Sequence, residues 1–182
     1  DNGCVAFGTA TVGGPGAMGY NTAVTDVDCN GACNGIIDFT IAVGGDGTYT
    51  YSIDGGTTFQ ASPTFTGLCA GTYNLVLSDG NGCTATGTET ITEPAALTMT
   101  FTTTDAVCNG YCDGPADAVI GGGVAPYNSA WTTGAGTTDP SSAGICAGTY
   151  DLVVTDDNNC VIDTIGFVIN EPAPFVITSV VT

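Results

Sequence analysis

Two cysteine pairs, Cys29 with Cys33 in CNGACNG and Cys108 with Cys112 in CNGYCDG, have a spacing that could supply half of a tetrahedral metal site. The carboxylates beside them offer a second chemistry. Residues 26–31 read DVDCNG, which matches the opening of a calcium loop with Asp26, Asp28 and Asn30 as oxygen ligands, and Asp105 stands at the equivalent place in DAVCNG. Each idea meets an obstacle in the sequence. Zinc would need two further close ligands, but Cys69 and Cys83 are separated by thirteen residues and the chain has no histidine. Nine cysteines in so small a chain favour disulfides in an oxidising, extracellular compartment. For calcium, Asp38 falls out of register for the bidentate acid, and no helix pattern flanks the loop. Solvated turn acids are therefore the competing reading. A calcium ion, if bound, would sit at the joints between repeats and draw also on Asp79, Asp156 and Asp157. No other cofactor is expected.

Composition narrows the function more firmly. The 182 residues include 18 acids and no Lys, Arg or His, a formal charge of −18. No ion pair between side chains can form, so each carboxylate must be solvated, bonded to N–H groups or bound to an external cation. Nothing here could neutralise a phosphate, which excludes nucleic acid and argues against an anionic membrane surface. Triads lack their base and phosphate cradles their lysine, leaving only carboxylate-pair chemistry, for which neither repeat shows a distinctive acid pair. The chain reads as a non-enzyme. No apolar run is long enough to span a bilayer, and trypsin-like proteases find nothing to cut.

The elements that hold these residues come twice. Shifting Cys4, Cys29, Cys33, Cys69 and Cys83 by 77 to 79 residues lands each on another cysteine, and CAGTYNLVLSD (69–79) and TITEP (90–94) move onto CAGTYDLVVTD (146–156) and VINEP (168–172). The frame divides the chain into residues 1–15, the last strand of an incomplete upstream repeat; repeat 1 at 16–94; repeat 2 at 95–173; and 174–182, the first strand of a following repeat or a tail. It predicts a window cut from a longer array, with Cys4 separated from its partner. Within a repeat, β-rich runs at 97–103, 36–43, 48–53, 63–67, 72–78 and 84–92 alternate with clusters such as GGDG and DGNG, and no helical period occurs. The expected fold is all-β: tandem immunoglobulin-like antiparallel β-sandwiches stapled by disulfides. Tyr73 and Tyr150 sit where a tyrosine corner would.

The series CNGxC, GG-x-x-x-Y (GGVAPYNSAW at 122–131) and GLCAGTYNLVLSDGNGC (67–83) resembles the SprB-type repeat of Bacteroidota surface and gliding-motility adhesins. The resemblance implies an exported cell-surface protein of many sandwiches in series. Repeat 1 departs from it with Ile53 where repeat 2 keeps Trp131. Cys69 and Cys83 lie at opposite ends of a strand about 20 Å long, too far apart to bond to each other. Each is expected to take one cysteine of the CNGxC pair: Cys33–Cys69, Cys29–Cys83, Cys112–Cys146 and Cys108–Cys160, with the swapped pairing left open. Asp163-Thr164-Ile165 resembles a short O-glycosylation acceptor at Thr164. The functional expectation is a structural and adhesive segment of an extracellular stalk, fibre or surface filament. Its partners would be neighbouring repeats or subunits of the same protein. The alternative is a carbohydrate-binding array that meets surface polysaccharide.

Overall fold

In a computed structural model of the chain, residues 13–14, 16–131 and 142–177 are described. Strands form where the sequence alternates threonine, tyrosine and aliphatic residues, because β-branched and aromatic side chains pack well on a pleated surface. The expected all-β fold is the one observed. The chain divides into two compact units, Asp1–Asp26 with Asn34–Ile91, and Val27–Cys33 with Thr92–Thr182. The short segment around Cys29 thus packs with the second unit, although the repeat frame numbers it in repeat 1.

The first unit holds β1 (Gly19–Thr25), β2 (Gly35–Val43), β3 (Tyr49–Ser52), β4 (Thr64–Leu68), β5 (Gly71–Asp79) and β6 (Thr84–Ile91). They form two three-stranded sheets, ordered β1-β2-β4 and β3-β5-β6, with antiparallel pairing throughout. Phe39 of β2 joins the two layers. Its ring lies 5.0 Å from that of Tyr51 on β3 and 5.0 Å from that of Tyr20 on β1. Ile37, Leu75, Leu77 and Ile91 complete a core with almost no exposure.

The second unit repeats the plan with β7 (Thr98–Thr103), β8 (Gly114–Gly121), β9 (Asn128–Trp131), β10 (Ser142–Ile145), β11 (Gly148–Thr155) and β12 (Val161–Ile169). Its sheets are ordered β7-β8-β10 and β9-β11-β12. Leu152 and Val154 on β11 are fully buried beside Ala118, with Met99, Phe101 and Tyr127 packed around them. Phe167 gathers a second cluster. Its ring stacks 5.0 Å from Phe101 and meets Trp131 edge-on at 5.4 Å.

The GG-x-x-x-Y motif has a backbone cause. Gly44 and Gly122 have φ of 81° and 68°, and a Cβ there would lie 2.2 Å from the carbonyl oxygen of Ala17 or 1.8 Å from that of Ala96. Only glycine fits. Five residues on, the Tyr49 and Tyr127 hydroxyls donate to the carbonyls of Gly44 and Gly122 at 2.7 and 2.6 Å, which ties each turn to the next strand.

Candidate functional site

The motifs that looked like ligand sites are engaged in hydrogen bonds within the chain. In the CNG turns, Gly31 and Gly110 adopt φ of 74° and 76°, which exposes their N–H groups. The Gly31 N–H donates to Glu93 Oε2 at 2.7 Å, and the Asn30 amide donates to the Pro94 carbonyl at 3.1 Å. In repeat 2 the Gly110 N–H donates to Glu171 Oε2 at 2.6 Å, while the Asn109 amide reaches Glu171 Oε1 at 2.8 Å and the Pro172 carbonyl at 3.1 Å. Two further backbone bonds, Val27 N–H to Thr92 O and Ala106 N–H to Asn170 O, extend the clasp. Each CNG turn is thereby fixed to an EP dipeptide about sixty residues later. The sequence did carry the signal: CNG and EP recur together in both repeats.

The turn after the penultimate strand is closed by a buried carboxylate. Asp79 Oδ1 accepts the N–H groups of Asn81 at 3.0 Å and Cys83 at 2.7 Å, and its Oδ2 accepts that of Asp46 at 3.2 Å. Asp156 does the same with Asn158 at 3.0 Å, Cys160 at 2.8 Å and Val124 at 2.9 Å. Both residues are buried. Burial pushes the Asp156 carboxyl up, but the N–H groups of Val124, Cys160 and Asn158 together outweigh it and leave the pKa below the ordinary aspartate value. Asp54 closes a third loop. The hydroxyl and N–H of Thr58, with the Ser52 hydroxyl, hold its carboxyl well below the usual range.

One expected outcome follows from the sign of the Asp156 shift. A depressed folded-state pKa gives stability that is complete above the unfolded aspartate value near 3.8 and is lost as the pH falls through the folded value. Thermal melts of wild type and Asp156→Asn between about pH 2 and 7 separate this effect from the relief of surface repulsion common to both proteins. The variant should melt lower at neutral pH and the two should converge at the acid end. Parallel curves at every pH would show that the carboxylate contributes nothing.

Other residues named as calcium ligands have hydrogen-bond partners within the chain. Asp105 Oδ1 accepts from the Asn170 N–H at 2.9 Å and the Asn170 side-chain amide at 3.2 Å, the Asn30 amide nitrogen donates to the Pro94 carbonyl, and Asp38 accepts the Thr64 hydroxyl. Asp28 lends its backbone carbonyl to the Asn158 amide at 2.8 Å, and Asp26 is itself engaged. Among the described residues, no group of three or more Asp, Glu, Cys or His is arranged to hold a metal ion. Thr164, the expected glycosylation acceptor, lies on β12 with its Oγ1 buried and without a hydrogen-bond partner.

Cysteine pairing departs from the expectation at two places. Cys112 is bonded to Cys146; they flank the paired residues Gly114 and Ile145, so they share one end of the β8–β10 pair. Cys33 and Cys69 are both disulfide-bonded. Cys29, however, is bonded to Cys160 with Cα atoms 5.7 Å apart, while Cys83 and Cys108 are free and exposed. The expected bonds Cys29–Cys83 and Cys108–Cys160 are replaced for a geometric reason. The Cys108 turn is clasped to Glu171 and Pro172, beyond the end of β12, whereas Cys160 precedes its start. Nine strand residues, about 30 Å at ~3.3 Å each, separate them. Cys4 lies outside the described residues.

The tyrosine corners are formed, with Tyr73 and Tyr150 each donating to the carbonyl four residues upstream, Cys69 and Cys146, at 2.9 Å. A disulfide-bonded β-sandwich repeat, closed by clasps built from its own motif residues, is the class these features define. Within that class, residues 21–58 match the SprB repeat family. No curated protein matches the chain. Among solved structures, the fibronectin(III)-like modules of CbhA from Clostridium thermocellum align over 85% of this chain and 94% of theirs, at 14% identity and a TM-score of 0.29.

Proposed function

We propose that the chain is a structural and adhesive segment of an extracellular repeat protein that forms a stalk, fibre or surface filament. The observation that carries this reading is the duplication of the clasp: the residues with chemical potential, CNG, EP and the turn aspartates, are bound internally in both repeats at matching distances. Residues spent on holding a sandwich closed are suited to bearing load and resisting unfolding. Disulfides support an oxidising location, and a chain without Lys or Arg is proof against trypsin-like proteases outside the cell. The SprB match over residues 21–58 supports a cell-surface setting by family resemblance.

Antibodies raised to the folded chain should label intact cells that carry the gene and decorate thread-like surface material in electron micrographs. Labelling that appears only after permeabilisation would overturn the proposal. A glycan array probed with the same chain decides the alternative, since selective sugar capture without threads would favour the carbohydrate-binding array.

A further inference from the structure

The Cys29–Cys160 bond differs in kind from the other crosslinks. It closes a loop with a sequence separation of 131, and inside that loop lie all the strands from β2 to β11 together with the bonded residues Cys33, Cys69, Cys112 and Cys146. Among the described residues, the strands outside it are β1, before Cys29, and β12, after Cys160. We propose that this bond is a covalent load path. Tension along the chain runs from β1 through the sulfurs of Cys29 and Cys160 into β12, and the rest of both sandwiches stays folded outside the line of force. The proposal deepens the reading of the chain as a stalk or fibre segment and rests on it.

The two strands on the path are suited to it. Each is the edge of its sheet and is hydrogen-bonded antiparallel to one neighbour, β1 to β2 and β12 to β11. Tension acts along the strand, whereas the ladder bonds lie across it. A strand already rises ~3.3 Å per residue against about 3.6 Å for the fully extended chain, so drawing it taut lengthens it by about a tenth. The neighbour can stay attached. Little slack separates strand from bond: β12 starts at Val161, directly after Cys160, and Asp26, Val27 and Asp28 join the end of β1 to Cys29. Without the bond, the same tension would pass from Cys29 into β2 and leave the first unit at the end of β6, so that the unit would be pulled apart through its own strands.

Hydrogen bonds hold the approach to the bond from both sides. The Val27 N–H donates to the Thr92 carbonyl at 3.2 Å, and the Asp28 carbonyl accepts the Asn158 amide at 2.8 Å. Val27 is buried, and the Cys160 N–H is fixed to Asp156 at 2.8 Å. These contacts bring Cys29 to Cys160 across the long loop and keep the chain on either side of the bond in place. The inner bond Cys112–Cys146 lies wholly within the loop and carries no tension while the outer one is intact. A hollow lined by Leu97, Val161 and Ile162 reaches both Cys29 and Cys160, so a small thiol has access to them.

The test stretches the full chain in an optical trap through handles attached at Asp1 and Thr182 without thiol chemistry. With the bond intact, residues 1–29 and 160–182 can supply at most about 180 Å of extended chain at ~3.5 Å per residue, and no unfolding step is expected. Cys29→Ser combined with Cys160→Ser should unfold in discrete steps, one for each unit, and extend past that limit. Circular dichroism melts confirm that the variant folds. A second arm needs no variant. Wild type is held, at a load that the units of the variant survive for seconds, in dithiothreitol, which closes to its cyclic disulfide as the two protein thiols form. The bond should break first and the units should unfold afterwards in separate steps. Once the inner disulfides are also reduced, the total gain should approach about 460 Å for the 131 residues.

Unfolding steps in unreduced wild type at the force that unfolds the variant would overturn the proposal. So would release of all the free length of the loop at the moment of cleavage, because the sandwiches would then have come apart behind the bond. A non-reducing chymotryptic digest without a Cys29–Cys160 peptide would overturn it as well. Surface threads labelled by antibody alongside any of those results would leave the structural role standing. Failure of the labelling with the load path intact would fail the proposed role instead.

Discussion

Replacing Cys112 and Cys146 together by serine is expected to lower the unfolding free energy by about 4 kcal/mol. The bond closes a loop with a sequence separation of 34, and the chain-entropy relation for a loop of that length gives a value of this size. The second unit can ill spare it. No ion pair is available to a chain without Lys, Arg or His, and sandwiches of this size have modest cores. The native pair flanks Gly114 and Ile145, which face each other on β8 and β10, so the bond also holds the open end of that sheet. Urea unfolding of the double variant should show a lower midpoint, with a steeper dependence if the freed chain exposes more surface. A loss under about 1 kcal/mol would mean that the reduced unfolded chain is already constrained in this region.

Leu152→Ala should cost about 3 kcal/mol, in the range for buried leucine truncations that leave a partly collapsed cavity. Leu152 has no exposed surface and stands at the centre of the sandwich, level with Trp131 on β9 and Thr164 on β12 and packed with Val154 and Ala118. The conservative change Leu152→Met, close in volume, should cost under about 1.5 kcal/mol. Equal losses for the two variants would indicate that the site tolerates no change of shape, rather than that it loses apolar burial. Leu75, 1% exposed at the equivalent place on β5, should repeat the contrast in the first unit.

Much of the fold was legible in the residues because strand signals are local. The run at 84–92 became β6 at Thr84–Ile91, and the run at 72–78 became β5 at Gly71–Asp79, each within two residues of its expected ends. Alternation, β-branching and glycine-rich turns act over a few residues, so a linear reading captures them. Tyr73 and Tyr150 were placed correctly for the same reason, since their hydroxyls reach back only four residues. The clasp was harder to see. Gly31 and Glu93 are 62 residues apart, and neither residue type announces a partner at that range. Asp79 and Asp156 looked like solvated turn acids because aspartate in a glycine-asparagine cluster usually is one. Their burial depends on Asp46 and Val124, which another loop brings in from over thirty residues away.

Sequence alone determined that the chain is all-β, that its plan is used twice, and that Lys, Arg and His chemistry is closed to it, because periodicity, duplication and composition are properties of the linear chain. Tertiary structure decided which cysteines meet. Spacing showed that Cys69 and Cys83 could not bond to each other, but the direction in which each CNG turn is held comes from its clasp to an EP dipeptide at the far end of the repeat. That clasp carries Cys108 to the end of β12 opposite Cys160 and leaves Cys29 beside Cys160, 131 residues away in sequence. A disulfide requires Cα atoms within about 7 Å, and only the folded path of the chain sets that distance.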